Sequence, residues 1–114
     1  MLNQVVLVGR LTDNIEVRES ANGKKISTIC IAVGRQFKNI DGIYETDFIK
    51  CVLWNGIAEN TSEYCKKGDV VGIKGRIQVS SYEDEDGKKR YNTEVIAEKV
   101  TFLSNKKTLE TNVA

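Results

Sequence analysis

Apolar and polar positions alternate strictly along several segments of the chain, a pattern typical of β-strands with one buried face. The clearest case is the segment 47–54, DFIKCVLW. One set of alternate positions is small and apolar, as a strand facing a core requires: Ile49, Cys51 and Leu53. The other set mixes two aromatic side chains with a cation: Phe48, Lys50, Val52 and Trp54. Because an aromatic can stack on a base while a lysine meets its phosphate, this second face suggests a surface for single-stranded nucleic acid.

The same pattern predicts a small all-β domain with five main strands and one helix. The strands are about Gln4 to Leu11, with an extension after a break at Ile15 to Arg18, then Lys25 to Phe37, Glu45 to Trp54, Val70 to Tyr82, and Arg90 to Leu103. Asn22-Gly23, Asp41-Gly42 and Asp86-Gly87 mark tight turns between strands. Helical spacing over Ile57 to Lys67 predicts the helix, with Gly68 as its stop.

The last two strands repeat the division into two faces. In the fourth strand the inward set is Val71, Ile73, Ile77 and Val79, and the outward set is Lys74, Arg76, Gln78, Ser80 and Tyr82. In the last strand a bulge near Glu98 should let Val100 and Phe102 point inward. Tyr91 and Tyr64 are expected to pack against the core rather than to face solvent.

Five strands with one helix between the third and fourth predict an OB-fold, a five-stranded Greek-key barrel that commonly binds oligonucleotides. The 114 residues suffice for a single domain. We place that domain at residues 1–104 and expect residues 105–114 to be a polar, disordered tail, because periodicity ends there.

Composition narrows the function classes. The formal net charge is +1, from 17 Lys and Arg against 16 Asp and Glu, so any nucleic-acid site must come from the placement of charges. The chain has no histidine, which argues against zinc and His-dependent catalysis. We expect no cofactor. The three cysteines are widely spaced and are expected to be reduced core thiols. Without an apolar run long enough for a signal peptide or membrane span, the expected location is cytoplasmic.

The cost of burying a charge distinguishes core from surface for the aromatic residues of the third strand. Phe and Trp on strands are most often core residues. If Phe48 and Trp54 faced the core, however, Lys50 would be buried between them without an evident partner, at a cost of several kcal/mol. We therefore predict that Phe48 and Trp54 are exposed and functional.

Four blocks of the chain resemble the bacterial single-stranded DNA-binding proteins: LNQVVLVGRLT, TDFIKCVLWNGIAEN, YCKKGDVVGIKGRI and YNTEVIAEKVTFL. The likeness runs from Met1 to about Leu103. It implies an OB-fold that assembles as a homotetramer, a dimer of dimers, on which single-stranded DNA wraps without sequence preference near the nucleoid. It also implies four base-stacking positions: Phe37, Phe48, Trp54 and Tyr82. Phe37 is added by the resemblance alone.

Phosphate contacts are expected from cations near these aromatics. The candidates are Arg10, Arg18, Lys38, Lys50, Lys66, Lys67, Lys74, Arg76 and Lys88. Lys50 and Arg76 are the strongest, because each shares a strand face with a stacking aromatic. The acidic run Glu83 to Asp86 should form a solvated hairpin tip beside Tyr82.

The chain also departs from the resemblance. Its fourth strand, GRIQVSSY, carries fewer arginines than relatives commonly do, which predicts fewer phosphate contacts and weaker binding. Val70 and Gly72 stand where some relatives use larger polar side chains between dimers, so tetramer and dimer both stay open. The chain ends at Ala114 without the Gly- and Pro-rich linker and acidic, Phe-terminated tip that recruit repair proteins in many relatives. A short tailless paralogue of Gram-positive bacteria and a trimmed chain both fit that ending.

The sequence leaves two other function classes to consider. One is a related OB-fold protein that bridges replication-restart (primosome) proteins and forms a stable dimer. The other is an enzyme, which the sequence disfavours because no Ser or Cys nucleophile has a histidine to activate it and no Gly-rich phosphate loop is present.

Overall fold

The computed structural model describes residues 1–103. The expected domain boundary at 104 and the expected disordered tail lie outside the described residues. The elements are β1 Val5–Leu11, β2 Arg18–Glu19, β3 Lys25–Lys38, β4 Tyr44–Trp54, α1 Asn55–Tyr64, β5 Val70–Glu83 and β6 Lys89–Phe102.

All strands belong to one sheet in the order β1-β5-β6-β4-β3-β2, and an additional pairing between β1 and β3 closes it into a barrel. The β4–β6 pair is parallel and the others are antiparallel. The five long strands and the helix between the third and fourth of them confirm the predicted OB-fold. The suggested extension of the first strand is present only as the two-residue β2, where Arg18 pairs with Ile26.

The core is built from the apolar alternate positions that the sequence marked. Cys51 and Leu53 of β4 are fully buried, and Ile31, Val71 and Ile73 meet them from β3 and β5. Each such aliphatic side chain contributes about 1.5 to 3 kcal/mol of burial free energy. α1 packs on this core through Ala58 and Thr61, and the Thr61 hydroxyl donates a 2.7 Å hydrogen bond to the Ile57 carbonyl.

The helix differs from its predicted bounds at both ends. α1 begins two residues before Ile57 and ends at Tyr64, three residues before Lys67. It stops because Cys65 is extended (φ −123°, ψ 151°) and turns its side chain into the core, while its N–H still donates to the Thr61 carbonyl. Gly68, predicted as the helix stop, belongs instead to the next turn, with φ +92°.

Turns and bulge lie where the sequence placed them. At Asp86-Gly87, for example, Gly87 has φ +76° and its N–H donates to the Asp84 carbonyl. The bulge falls at Glu98, because Lys74 pairs with Lys99 while the next residue, Gly75, pairs with Ala97. The extra residue lets Val100 and Phe102 pack against the core, as predicted.

The β5–β6 hairpin extends past the barrel, and this length overturns three predictions. Ile77 and Val79 are predicted to be buried, but they are 42% and 57% exposed because, within the described part of the chain, no opposite sheet covers the hairpin there. Tyr91 was expected to pack and is 68% exposed for the same reason. Tyr64 does pack on one side, with its ring 5.8 Å from that of Phe102, and is otherwise half exposed.

Among residues 1–103, no helix has the length and apolar content needed to cross a membrane.

Candidate nucleic-acid interface

Alternation on β4 points Phe48 and Lys50 to solvent, as predicted. Trp54, the last residue of the strand, is partly buried. Val52 lies on the same side but is 4% exposed, because it stands between Thr28 of β3 and Ile96 of β6. The outward side of β4 therefore carries exposed Phe48 and Lys50, with the buried apolar side chain of Val52 at its centre.

Cross-strand pairing joins this surface to the outward side of β5. Arg76 pairs with Ile96, Ile96 pairs with Val52, and so the three side chains form one row across β5, β6 and β4. Tyr82 lies on the same side of β5 as Arg76, because the register from Gly75 to Glu83 is unbroken. We call the surface that carries Phe48, Lys50, Trp54, Arg76 and Tyr82 the mixed face.

The fourth predicted stacking aromatic, Phe37, lies in a part of β3 that is not paired with β4. Its side chain is 82% exposed near the end of β3, but pairing with β4 is interrupted between Gly34 and Lys38. Alternation therefore does not assign Phe37 to the mixed face, which explains why residue pattern alone did not identify it. Tyr82 is 56% exposed and Phe48 68% exposed, so all three rings are open to a ligand.

Two predicted cations lie in rows that end on mixed-face aromatics. Arg10 of β1 pairs with Ala32, which pairs with Phe48, and its guanidinium donates a 2.9 Å hydrogen bond to the Gly68 carbonyl. Arg18 of β2 is connected in the same way to Trp54 through Ile26. Within residues 1–103 its one ion-pair contact is at 3.4 Å to exposed Glu16, and its side chain is 80% exposed.

The remaining predicted cations are more dispersed. Lys66 and Lys67 lie in the turn after α1, and Lys88 lies at the β5–β6 turn. Lys38 stands over the Tyr44 ring, with its ammonium nitrogen 5.6 Å from the centroid. Lys74 pairs with Val6 on one side and with Lys99 on the other. The contacts of these five residues do not connect them to the mixed-face aromatics.

Two cations on the outward side were missed from the sequence: Lys99 lies opposite Lys74, and Arg90 lies opposite Tyr82. Lys89 stands 5.7 Å from the Tyr91 ring centroid, on the other side of the hairpin. Counting outward from the Asp86-Gly87 turn would have paired Arg90 with Tyr82, because a tight hairpin fixes its own register.

Ion pairs determine which charges are free to meet a ligand. Arg35 contacts Asp47 through Nε and Nη2, and it also contacts Glu45, so its charge is already neutralised. The hydrogen bond from Arg35 lowers the pKa of Asp47. At the hairpin tip Arg90 donates a 2.9 Å hydrogen bond to Asp84 and, with backbone N–H groups, lowers the pKa of that carboxyl. The acidic run does form the predicted exposed tip.

Burial distinguishes the thiols. Desolvation raises the pKa of Cys51 and of Cys65 to about 11, as expected for core cysteines. Cys30 is partly exposed, on the outward side of β3. Over residues 1–103, no group of three or more Cys, Asp and Glu side chains is arranged to hold a metal ion.

The fold and this surface define an OB-fold barrel with an aromatic and basic sheet face. A family comparison makes the assignment specific: the chain belongs to the single-strand binding protein family, whose model matches residues 2–103.

Individual relatives agree with that assignment. The chain is 48% identical over 106 residues to "Single-stranded DNA-binding protein B" of Bacillus subtilis, covering 93% of this chain and 94% of that protein. It is 50% identical over 103 residues to the "Single-stranded DNA-binding protein" of Bacillus cereus, covering 90% of this chain and 61% of that protein. It is 48% identical over 108 residues to "Single-stranded DNA-binding protein 1" of Lactococcus lactis, covering 95% of this chain and 72% of that relative.

Proposed function

We propose that this protein binds and coats single-stranded DNA without sequence preference and without catalysis, in replication, recombination, repair or DNA uptake. The observation that carries the proposal is the row of Arg76, Ile96 and Val52, which joins two strands into one mixed face. A DNA strand laid across this face would meet aromatic rings and cations in alternation. We place this binding activity in the cytoplasm, near the nucleoid.

Base stacking supplies the first part of the binding free energy. The proposed platforms are Phe37, Phe48, Trp54 and Tyr82. Each stacked base is worth about 1 to 3 kcal/mol, and every base offers a π-face, so the platforms bind with little sequence preference.

Phosphate contacts supply the second part, and they make binding salt-dependent. The proposed set is Lys50, Arg76, Arg10, Lys38, Lys74, Lys66, Lys67, Arg18 and Lys88. Arg10 and Arg18 are supported because their cross-strand rows end on Phe48 and Trp54. Lys50 and Arg76 are supported because each shares a strand face with a stacking ring.

We also propose that the protein assembles as a homotetramer, a dimer of dimers. The supporting observation is apolar surface on β1, where Val6 is 69% exposed and Val8 is 53% exposed. Val8 pairs with Gly72, and a Cβ added to Gly72 would lie 3.5 Å from the partly exposed Leu103 side chain, so the apolar surface continues onto β5. Light scattering should report a mass near four chains. A stable dimer with weak DNA binding would favour the replication-restart alternative instead.

The function is tested by the fluorescence of Trp54, the only tryptophan in the chain. Oligo(dT) at low salt should quench its emission and shift the protein in a gel. Replacement Trp54→Phe should keep most of the gel shift while removing the signal, whereas Trp54→Ala should weaken the shift itself. Unchanged emission together with no gel shift at low salt would overturn the proposal.

A further inference from the structure

A cleft opens beside the mixed face where β4 and β6 separate. The two strands pair only through Cys51 with Val95 and Val52 with Ile96. Below these pairs lies a cleft of about 360 Å³. Its apolar walls include Ile49, Ile77 and Val95, and Phe48, Lys50 and Glu94 also line it.

One wall of the cleft is an apolar residue that the end of the barrel leaves partly exposed. Ile77 belongs by alternation to the core side of β5, yet it is 42% exposed. Ile77 pairs with Val95, the residue at the edge of the short paired region of β4 and β6, so its side chain borders the cleft that opens beyond that pair. A cleft of this volume, with apolar walls and Phe48 in its lining, can receive an unstacked nucleobase.

Glu94 is the unusual group in this cleft. It pairs with Gln78 across β6 and β5, which places it on the same side as Arg76, within the mixed face. In the described part of the chain, no ion pair or side-chain hydrogen bond engages its carboxylate. A free carboxylate on a phosphate-binding surface repels the ligand unless the ligand brings hydrogen-bond donors to it.

We infer that this cleft is a base-selective subsite, in which Glu94 accepts hydrogen bonds from the Watson–Crick edge of a guanine in the bound strand. The inference rests on the proposed single-stranded DNA binding and adds a base preference to it. Phe48 would contact the ring, and Lys50 would meet the adjoining phosphate.

The chemistry of the four bases sets the order of preference. A carboxylate is acceptor-only, with two oxygens that match two parallel donors. Guanine offers N1–H and N2–H side by side, and cytosine and adenine each offer one amino group. Thymine offers only N3–H between two carbonyl oxygens, which a carboxylate repels. The cleft should therefore favour guanine and disfavour thymine within otherwise sequence-tolerant binding.

The test compares three oligonucleotides of equal length at one fixed, moderate salt concentration. One is all dT, the second carries isolated dG residues in a dT background, and the third carries deoxyinosine at the same positions. Deoxyinosine keeps N1–H but lacks the N2 amino group. The protein should bind the dG strand about fivefold more tightly than the deoxyinosine strand, as expected when one bidentate pair becomes a single bond.

Two variants locate that preference. Glu94→Gln should reduce the dG-to-deoxyinosine ratio to less than about twofold and should leave all-dT binding equal or slightly tighter, because a like charge is removed from the phosphate path. Ile77→Trp should fill the cleft and abolish the ratio while keeping all-dT binding. The matched control is Glu98→Gln, which removes an exposed carboxylate of β6 at the bulge, outside the cleft, and should leave the ratio unchanged.

The outcomes separate the subsite from the function on which it rests. Loss of all-dT binding by the unmodified protein would overturn the proposed function. Normal all-dT binding with equal affinity for the dG and deoxyinosine strands would overturn the subsite alone. A ratio that survives both Glu94→Gln and Ile77→Trp would also overturn it, because the preference would then arise elsewhere on the protein.

Discussion

Cys30 and Lys50 lie directly opposite each other on β3 and β4, and both project onto the outward side of the sheet. Cys30 is partly exposed, whereas Cys51 and Cys65 are buried and have pKa values raised to about 11. Because thiolate is the reactive form, a thiol reagent at mildly alkaline pH should modify one cysteine in the native protein and three in denaturant. Peptide mapping should locate the single native label on Cys30.

The same reaction reports where DNA lies. Oligo(dT) at saturating concentration should slow labelling of Cys30, because a strand held by Lys50 would cover the thiol. Labelling in high salt, where the strand dissociates, is the control for a direct effect of the oligonucleotide on the reagent. Equal rates with and without bound DNA would contradict the proposed path of the strand across β3 and β4.

Phe48 and Tyr91 are a matched pair for testing which sheet side binds bases, because each is 68% exposed. Phe48 lies on the mixed face, and Tyr91 pairs with Ser81, so it lies on the side opposite Tyr82. Phe48→Ala should weaken oligo(dT) binding by about 1 to 3 kcal/mol, the value of one stacked base. Tyr91→Ala should change the binding free energy by much less. Equal losses in a titration of both variants would argue against a single binding side.

Lys50 should be visible in the salt dependence of binding. Each phosphate neutralised on a single strand contributes about 0.7 to the slope of log affinity against log salt concentration. Lys50→Gln should reduce the slope by about that amount. Lys24→Gln, an exposed lysine in the turn before β3, should leave it unchanged. A slope that Lys50→Gln does not alter would remove Lys50 from the phosphate path.

The sequence predicted the barrel well because local rules determine most of it. Alternation identified Cys51 and Leu53 as core, and the dipeptide turns and the Glu98 bulge follow from residue preferences within a few positions. These features depend on neighbours along the chain, which a single sequence displays.

The sequence predictions failed where burial or a helix end depends on residues that are far away along the chain. Ile77, Val79 and Tyr91 alternate like core residues, but their burial requires an opposite sheet that ends before the hairpin does. The helix end was misplaced because Cys65 packs into the core, a tertiary contact that overrides local helix spacing. The cleft beside Glu94 is beyond prediction for the same reason, since it is formed by the separation of β4 from β6.

The β5–β6 tip should loosen in acid, because Asp84 organises it. Its carboxylate accepts hydrogen bonds from the Asp86 and Lys88 N–H groups and from Arg90. These bonds, chiefly that of Arg90, lower the pKa of Asp84, so the stabilisation is complete above the ordinary carboxyl pKa and is lost as pH falls through the lowered value. Amide exchange of Lys88, measured by NMR, should lose protection below about pH 4.

A pair of variants separates this effect from general acid unfolding. Asp84→Asn should make protection of the Lys88 amide independent of pH in this range, because an amide oxygen still accepts the two backbone hydrogen bonds, as Asn39 does in the β3–β4 turn, but has no charge to lose. Asp86→Asn changes an exposed neighbour whose side chain makes no such bonds, and it should leave the transition in place. If the amides of the tip and those of the core strands lost protection at the same pH, that result would contradict a local role for Asp84.

Gly75 enables the close crossing of β5 and β6 at the bulge. It pairs with Ala97 next to the extra residue Glu98, and a Cβ added there would overlap the Ile96 carbonyl group. Since that carbonyl is backbone held within the sheet, it cannot move aside as a side chain could. Gly75→Ala should therefore lower the free energy of unfolding by about 1 to 3 kcal/mol, as measured by urea denaturation at one protein concentration.

Gly56→Ala is the control. In the described part of the chain, nothing outside the local helix backbone lies within 4 Å of a Cβ added at this position in α1. The variant should raise the free energy of unfolding by up to about 1 kcal/mol, because alanine favours helix. If both variants had the same midpoint as the unmodified protein, the strands would have to pair more loosely at the bulge than the register of Lys74 and Gly75 implies.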